Sequence, residues 1–395
     1  MKEQRKRILL INRYFHIGGI QSSLINMANE LSKSYDVDIL AFYASGELKD
    51  RLNPCVNVIC SSWAFRVLTI SPKELLATKN IFMIVYRMFF AFWTRLFDNR
   101  LPVYVATKFQ KKLTGYDLAI AYRAEPRKKL LSAGFARVLD HCIQADKKAV
   151  WIHHDAYKVR TNAEFNTKYY ANIDKVVGVS KSVMKAFAEE YPLLKDKMDF
   201  CYNFMDYDAL FKKSNDQQNI CYPENKFICF SACRLGEEKG IVRALNAFAS
   251  TFDKYKDIMW FIAGDGPEKE KIKIIIEQKN LQDRIVLLGN QSNPYPYMKN
   301  ADLYISVSYH EAAPVVYMEA KALGVPVFTT RTVSSDEMLD DGVNAFICDN
   351  SEEGIREKFA SLMSNRANIY SAKEFLKDCK FDNTLSIKKI EEFIG

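Results

Sequence analysis

The stretch ADLYISVSYHEAAPVVYMEAKALGVPVFTT, residues 301–330, reads as a strand, a loop, a helix and a second strand. An apolar run ends near Ser308, a carboxylate follows at Glu311, and apolar residues then recur at helical spacing as far as Gly324. Both strand-like runs are nearly continuous rather than alternating, as in strands that are covered on both faces. The stretch therefore predicts a strand–helix–strand unit of a parallel sheet.

The same alternation of apolar runs and amphipathic helices recurs along the chain in two series. The first series has runs at 7–12, 37–43, 116–122, 148–155 and 174–180, and the second at 226–233, 258–266, 284–290, 301–308, 326–331 and 345–349. A polar segment near 205–225 separates them. We therefore expect an α/β protein with two doubly wound domains, at 1–205 and 206–374, whose ligands bind beyond the carboxyl ends of the strands.

The formal charge of +8 is distributed unevenly over the 395 residues. Residues 1–205 hold 32 Lys and Arg against 19 Asp and Glu, a balance of +13, whereas the remainder holds 24 against 29, a balance of −5. This asymmetry favours a polyanionic or membrane partner for the first half. No nucleic-acid-binding module is recognisable, so nucleic acid is not an expected partner. Nine scattered cysteines without zinc-ligand spacing favour reduced thiols and a cytoplasmic protein.

Several loops after the predicted strands carry residues suited to ligand binding. Gly18 and Gly19 allow backbone amides to approach a phosphate or sugar at a helix N-terminus, which Ser22 or Ser23 would cap. His153 can donate to a substrate oxygen or take a proton. Each feature also has a structural interpretation: the glycines as a plain tight turn, and the histidine as a ring that hydrogen-bonds a nearby carbonyl.

Two further loops carry charge. Arg234 and Lys239 could bring two cations onto one diphosphate, although a solvated basic pair is the structural alternative. Pro314 suits the first turn of the helix that runs to Gly324, where free N–H groups favour a phosphate or a polarised hydroxyl. Glu311 stands beside that terminus, and Glu319 lies about one and a half turns along the helix. Two such carboxylates can accept hydrogen bonds from two different sets of sugar hydroxyls.

The order and spacing of these motifs resemble glycosyltransferase family 4, the retaining nucleotide-sugar enzymes of GT-B fold. The motifs are GGI at 18–20, WIHHD at 151–155, RLGEEKG at 234–240, AGDGP at 263–267, and the pair Glu311 and Glu319 followed by ALGVPV at 322–327. The resemblance covers nearly the whole chain. It implies two Rossmann-like domains facing each other across a cleft, an acceptor-binding first domain completed by a C-terminal helix at about 375–395, and a donor-binding second domain.

The resemblance also implies roles for single residues. Arg234 and Lys239 would hold the donor diphosphate, Glu319 the ribose hydroxyls, and Glu311 the hydroxyls of the transferred sugar. His153 would face the donor sugar and the acceptor. The predicted catalytic residues are His153 and Glu311, and the predicted donor-binding residues are Gly18, Gly19, Arg234, Lys239, Ala313, Pro314, Val315, Val316 and Glu319. We expect transfer of a hexosyl-type residue from a UDP-linked sugar to a glycan or lipid-linked glycan, with no metal or other cofactor.

Alternative functions remain open at this point. A metal-dependent transferase of GT-A fold would need an Asp-x-Asp pair, and the pairs at 36–38 and 206–208 lie outside the loop expected for it. A nucleotide-sugar epimerase shares the two-domain architecture. A non-catalytic nucleotide-sugar-binding partner of another transferase would have the same fold, although the charged motif residues are all present here.

Residues 61–115 are unusually basic and aromatic, with nine Lys and Arg, Glu74 and Asp98 as the two acids, and aromatics interleaved at helical spacing. This pattern favours a helix lying in an anionic membrane interface, so a peripheral position on the cytoplasmic face of a membrane is expected. The alternative is a pair of covering helices whose aromatic side chains fill the core of the first domain. The most apolar run, 81–93, is interrupted by Arg87 and is too short to span a bilayer.

Overall fold

The computed structural model describes residues 5–16, 18–154, 156, 161–216, 220 and 222–395. The chain divides into two compact units. The first comprises the residues up to Met205 together with Asn383–Gly395, and the second comprises Asp206–Asp382. Each unit contains one sheet in which every strand pair is parallel, so the predicted parallel α/β architecture is confirmed.

The first unit has a seven-stranded sheet of order β3-β2-β1-β4-β5-β6-β7. Its strands are β1 Arg7–Asn12, β2 Asp36–Ala41, β3 Asn57–Cys60, β4 Leu113–Ala121, β5 Ile143–Ile152, β6 Lys175–Gly178 and β7 Met198–Phe200. Its helices are α1 Gly19–Leu31, α2 Trp63–Thr69, α3 Pro72–Ala77, α4 Ile81–Leu96, α5 Arg100–Lys108, α6 Phe135–Cys142, α7 Ala163–Asn166 and α8 Lys181–Glu190, and the unit is completed by α17 Thr384–Ile394.

The second unit has a six-stranded sheet of order β10-β9-β8-β11-β12-β13. Its strands are β8 Phe227–Ala232, β9 Ile258–Ala263, β10 Ile285–Gly289, β11 Leu303–Ser306, β12 Val327–Thr330 and β13 Ala345–Cys348. Its helices are α9 Tyr207–Ser214, α10 Ile241–Lys254, α11 Lys269–Gln278, α12 Tyr295–Lys299, α13 Val315–Ala322, α14 Ser335–Met338, α15 Glu352–Ser364 and α16 Ala367–Lys377.

Burial on both faces explains the continuous apolar runs. In β8, Phe227 and Cys229 enter one apolar cluster, together with Trp260 of β9. Ile228 and Phe230 point to the opposite face and enter a second cluster. Since successive side chains of a strand alternate between faces, a strand buried on both sides has no solvent-facing side and is therefore mostly apolar along its length.

The C-terminal helix that completes the first unit is shorter than expected. Residues 375–382 lie in the second unit, because α16 continues to Lys377 and the crossing back to the first unit comes only at Asn383. There the Asn383 side chain bonds both the N–H and the carbonyl of Met205, at 3.0 and 2.8 Å. Phe393 of α17 then packs edge-on against Trp151, at 6.0 Å between ring centroids.

Helices α2–α5 occupy the connection between β3 and β4, and α4 presents an apolar face to solvent. Across the described residues, no helix has both the length and the hydropathy needed to cross a bilayer. The large exposed side chains on or directly after α4 are Ile81, Phe82, Val85, Met88, Phe89, Phe92, Leu96 and Phe97. Only Phe90 and Thr94 of this helix are buried. The alternative in which the aromatics of this segment fill the core therefore holds for Phe65 and Phe90 but not for most of α4.

Candidate functional site

The carboxyl ends of β8 and β11 bring two charged residues of the second unit together. These strands are neighbours in the sheet although they are far apart in sequence, so the loops that follow them meet at one edge. Lys239 follows β8 and Glu311 follows β11. The Lys239 Nζ donates to Glu311 Oε1 at 2.6 Å, and the Ser308 hydroxyl donates to the same oxygen at 2.8 Å.

The ammonium of Lys239 is held in its charged form. Burial alone would lower the pKa of Lys239, but the adjacent Glu311 carboxylate and its hydrogen bond outweigh burial, so the pKa lies above the ordinary lysine value. Arg234, in contrast, is exposed and is 3.8 Å from Glu238. The site thus has a partly buried cation at Lys239, held by Glu311, and an exposed cation at Arg234 on the same loop.

Two glycines make this loop geometry possible. Gly240 has φ +66°, and a Cβ on it would lie 2.3 Å from the carbonyl oxygen of Val307, directly after β11. Gly264, in the AGDGP motif, has φ +139°, and its Cβ would lie 1.9 Å from the carbonyl oxygen of Cys233. Since only glycine fits either position, the backbone of the Arg234–Lys239 loop packs closely against both neighbouring strand ends. From the sequence, AGDGP served only as one motif of the family resemblance, and this packing role was not predicted.

The second carboxylate, Glu319, has a partner that the sequence did not predict. Glu319 lies in α13, and the Tyr295 hydroxyl donates to its Oε1 at 2.9 Å. Tyr295 begins α12, in the loop region after β10. The only sequence signal was the aromatic, proline-rich stretch NPYPY at 293–297, which did not single out this side chain.

The N-terminus of α13 carries the other predicted donor-binding positions. Pro314 is buried and immediately precedes the helix, which begins at Val315, one residue later than expected. Ala313, Val315 and Val316 are each partly exposed. The first N–H groups of a helix have no acceptor within it, so this terminus can donate to an anionic or hydroxylic ligand.

In the first unit, Gly18 and Gly19 form the entry to α1. The helix begins at Gly19, and a Cβ there would meet nothing within 4 Å. The expected serine cap is wrong: no side chain caps this helix, because Ser23 lies inside it. The Ser23 hydroxyl instead bonds Tyr122 Oη at 2.8 Å and Asn203 Oδ1 at 2.7 Å.

His153 follows β5 in the first unit, with its ring centroid 4.5 Å from that of Tyr122. Its Nε2 is buried and has no hydrogen-bond partner among the described residues. Burial, and then the nearby Arg123 and His154, lower the pKa of His153 to about 3. The imidazole is therefore neutral at physiological pH, so it can donate or accept one hydrogen bond but is a poor base. Asp155, the last residue of that motif, lies outside the described residues.

No group of three or more His, Cys, Asp or Glu side chains that could hold a metal ion occurs within the described ranges. The cysteines in those ranges are all free thiols. Asp36 and Asp38 of the first Asp-x-Asp pair lie in β2, where Asp38 pairs with Arg7 at 2.9 Å. Asp206 of the second pair caps α9 by accepting from the Ala209 N–H at 2.9 Å. Both sets of contacts are structural.

Residues 212–378 match the family Glycosyl transferases group 1. An uncharacterized glycosyltransferase of Methanocaldococcus jannaschii is 28% identical over 165 residues, 41% of each chain. The N-acetyl-alpha-D-glucosaminyl L-malate synthase of Bacillus anthracis is 25% identical over 225 residues, 56% of this chain and 58% of the synthase. The chain thus spans about half the length of the curated relatives it matches.

Solved structures show the same fold along the whole chain. The crystal structure of Anabaena HepE in complex with UDP has a TM-score of 0.67 and 18% identity, and the match covers 98% of each chain. The predicted GT-B fold is therefore confirmed, and the match over 212–378 confirms the predicted resemblance to glycosyltransferases.

Proposed function

We propose that this protein is a retaining glycosyltransferase that moves a hexosyl-type sugar from a nucleotide sugar to a glycan or lipid-linked glycan acceptor. Uridine diphosphate is the proposed leaving group, as the UDP complex of the structurally similar HepE suggests. The observation that carries the proposal is the Lys239–Glu311 pair, which sets a fixed cation and a carboxylate side by side where the strands of a GT-B donor domain end. The family match over 212–378 supports the same assignment.

In this proposal the second unit binds the donor. The Lys239 ammonium, Arg234 and the N-terminus of α13 stabilise the negative charge that develops on the departing diphosphate, which is the electrostatic contribution that usually dominates such catalysis. Glu311 is released from Lys239 when the diphosphate takes its place, and then accepts hydrogen bonds from the sugar. Glu319, held by Tyr295, accepts hydrogen bonds from the ribose.

The proposed reaction needs no metal, because fixed cations neutralise the diphosphate. The test is a panel of UDP-, GDP- and ADP-linked sugars incubated with the purified protein, with and without excess chelator. Release of one nucleotide diphosphate that persists in chelator supports the proposal. Conversion of the sugar without nucleotide release would identify an epimerase, and binding without turnover of any donor or acceptor would favour a non-catalytic partner.

A specific observation also favours peripheral membrane association through α4. Its apolar face is exposed: Phe82 and Phe92 are each 65% and Met88 66% accessible. The connection between β3 and β4 also carries exposed cations that form no ion pair within the described ranges, namely Lys73, Lys79, Arg95, Lys108, Lys111 and Lys112. Arg87 does not join them, since it donates to the carbonyl of Val67. An apolar helix face in a segment this rich in exposed cations fits an anionic bilayer surface, with each cation near the surface contributing about 1 kcal/mol.

Co-sedimentation with anionic and neutral vesicles tests this membrane proposal. We expect salt-sensitive binding to anionic vesicles that is lost when Phe89 and Phe92 are replaced by Ser. Leu193→Ser is the matched control, because Leu193 is also in the first unit and is 85% exposed but lies away from α4. Equal vesicle binding by the α4 variant and the control would show that α4 is not the membrane contact.

A further inference from the structure

A cavity of about 420 Å³ in the first unit is lined by basic residues from three neighbouring strand ends. Arg13 follows β1, Arg123 follows β4 and His153 follows β5. These strands are adjacent in the sheet, so their carboxyl ends meet at one edge. The volume is within the range of sites for small molecules.

Two arginines that line this cavity, Arg13 and Arg123, have N–H groups without an acceptor among the described residues. Arg13 uses Nη2 to donate to the Thr69 carbonyl at 2.9 Å, while its buried Nε has no partner among the described residues. Arg123 makes no hydrogen bond or ion pair with any residue in the described ranges, although it is close enough to affect the pKa values of both Arg13 and His153. Unpartnered donors of this kind, gathered around one cavity, favour an acceptor-rich ligand.

The described residues that line the cavity offer no uncompensated negative charge. Glu125 is the one acidic residue among its described lining residues. Its carboxylate is fully engaged by Arg137, whose Nε and Nη2 donate to Glu125 Oε2 at 3.1 and 3.0 Å. Both side chains are buried, so this pair is internally neutral. The Glu74 carboxylate also raises the pKa of Arg13 electrostatically, but it is not among the residues that line the cavity, and it accepts a hydrogen bond from the N–H of Ser71. The described residues therefore present a net positive charge to the cavity.

We propose that this cavity binds an oxyanionic group, a phosphate or a carboxylate, of the acceptor. Arg123 supplies the free guanidinium and Arg13 the second cation. The neutral imidazole of His153 contributes a single hydrogen bond beside them. This inference rests on the proposed function only in calling the ligand an acceptor. The anion site itself depends on residues of the first unit alone.

Calorimetric titration of the full chain with inorganic phosphate and, separately, with malonate at constant ionic strength tests the site. We expect one of the two anions to bind, and Arg123→Gln to weaken that binding about tenfold or more, since a guanidinium–oxyanion contact is charge-assisted. Arg51→Gln, at an exposed arginine of the same unit, is the matched control and should bind as the wild type. Preference for phosphate would indicate a phosphorylated acceptor, and preference for malonate a carboxylated one.

A variant of the second unit separates this site from the proposed donor site. Lys239→Met removes any phosphate or malonate binding at the proposed donor site, and it should leave the binding that depends on Arg123 unchanged, because Lys239 lies in the other unit. The proposal is overturned if neither anion binds, if Arg123→Gln binds like the wild type, or if Lys239→Met abolishes the binding. No nucleotide sugar is used, so a failure of the proposed transferase activity would leave this result intact.

Discussion

Replacing Lys239 with Met removes an ammonium that the structure holds 2.6 Å from Glu311 Oε1 and keeps charged. In the nucleotide complex this ammonium would instead donate to the diphosphate. Such a charge-assisted hydrogen bond contributes about 1.5–3 kcal/mol, so we expect the Kd of UDP to rise about ten- to a hundredfold. Glu311→Gln should not raise the Kd of UDP. It removes a carboxylate that competes with the diphosphate for Lys239, so UDP should bind at least as tightly as to the wild type, while sugar transfer falls.

Calorimetry with UDP on the two single variants and the double variant measures this difference. Lys373→Met is the matched control: Lys373 bonds Asp302 at 3.1 Å and is 27% exposed, as is Lys239. Asp302 precedes β11 whereas Glu311 follows it, so the control pair lies at the opposite edge of the sheet and should not affect UDP. The double variant should bind UDP as Lys239→Met does. Equal losses of UDP affinity in Glu311→Gln and Lys239→Met would refute the competition between carboxylate and diphosphate.

Three other changes give distinct outcomes. Tyr295→Phe removes the 2.9 Å bond to Glu319 and should raise the Kd of UDP several-fold without lowering the transfer rate at saturating donor, as steady-state kinetics would show. Gly240→Ala adds a Cβ 2.3 Å from a backbone oxygen, whereas Gly324→Ala, at φ +75°, adds a Cβ that meets nothing within 4 Å. Gly240→Ala should therefore lower the free energy of unfolding by about 1–3 kcal/mol more than Gly324→Ala does. Equal losses in denaturant titrations would contradict the clash. His153 has a folded pKa of about 3 against 6.5 ordinarily, so the unfolded chain takes up the proton first and stability falls as the pH drops from about 6.5 towards 3. The loss at pH 5 should be roughly 2 kcal/mol, and an unchanged pH dependence in His153→Gln would show that another group is responsible.

The sheets were predictable because their strands are buried on both faces. The strand Ile258–Ala263 contains Trp260 and Phe261, which point to opposite apolar clusters, and no polar residue interrupts it. The edge strand β3 was not predicted, because Asn57 and Cys60 are exposed and its apolar run is short. The end of the second unit was also misplaced, since α16 and α17 are both amphipathic and nothing in their periodicity marks which unit each one covers.

The site could be predicted only one loop at a time. The type of each charged residue and its place after a strand indicated Lys239 and Glu311 separately. Their ion pair depends on β8 lying beside β11, a neighbour relation that the chain order does not reveal. The need for glycine at position 240 could not be predicted either, because it arises from the close approach of the Val307 carbonyl, which belongs to another loop. The exposure of α4 could not be decided either, since the same aromatic spacing serves a core helix or a membrane-facing one.

The return of the chain to the first unit at Asn383 has a consequence for biosynthesis. In synthesis from the N-terminus, all of Asp206–Asp382 is added to the chain before Asn383 and α17. Until then Trp151 lacks the contact with Phe393, and Met205 lacks the bonds to Asn383. The first unit therefore cannot acquire its full set of contacts until the second unit, a continuous segment, has been synthesised. A chain cut between the units would leave the first one without its last helix, whereas the second could be produced alone.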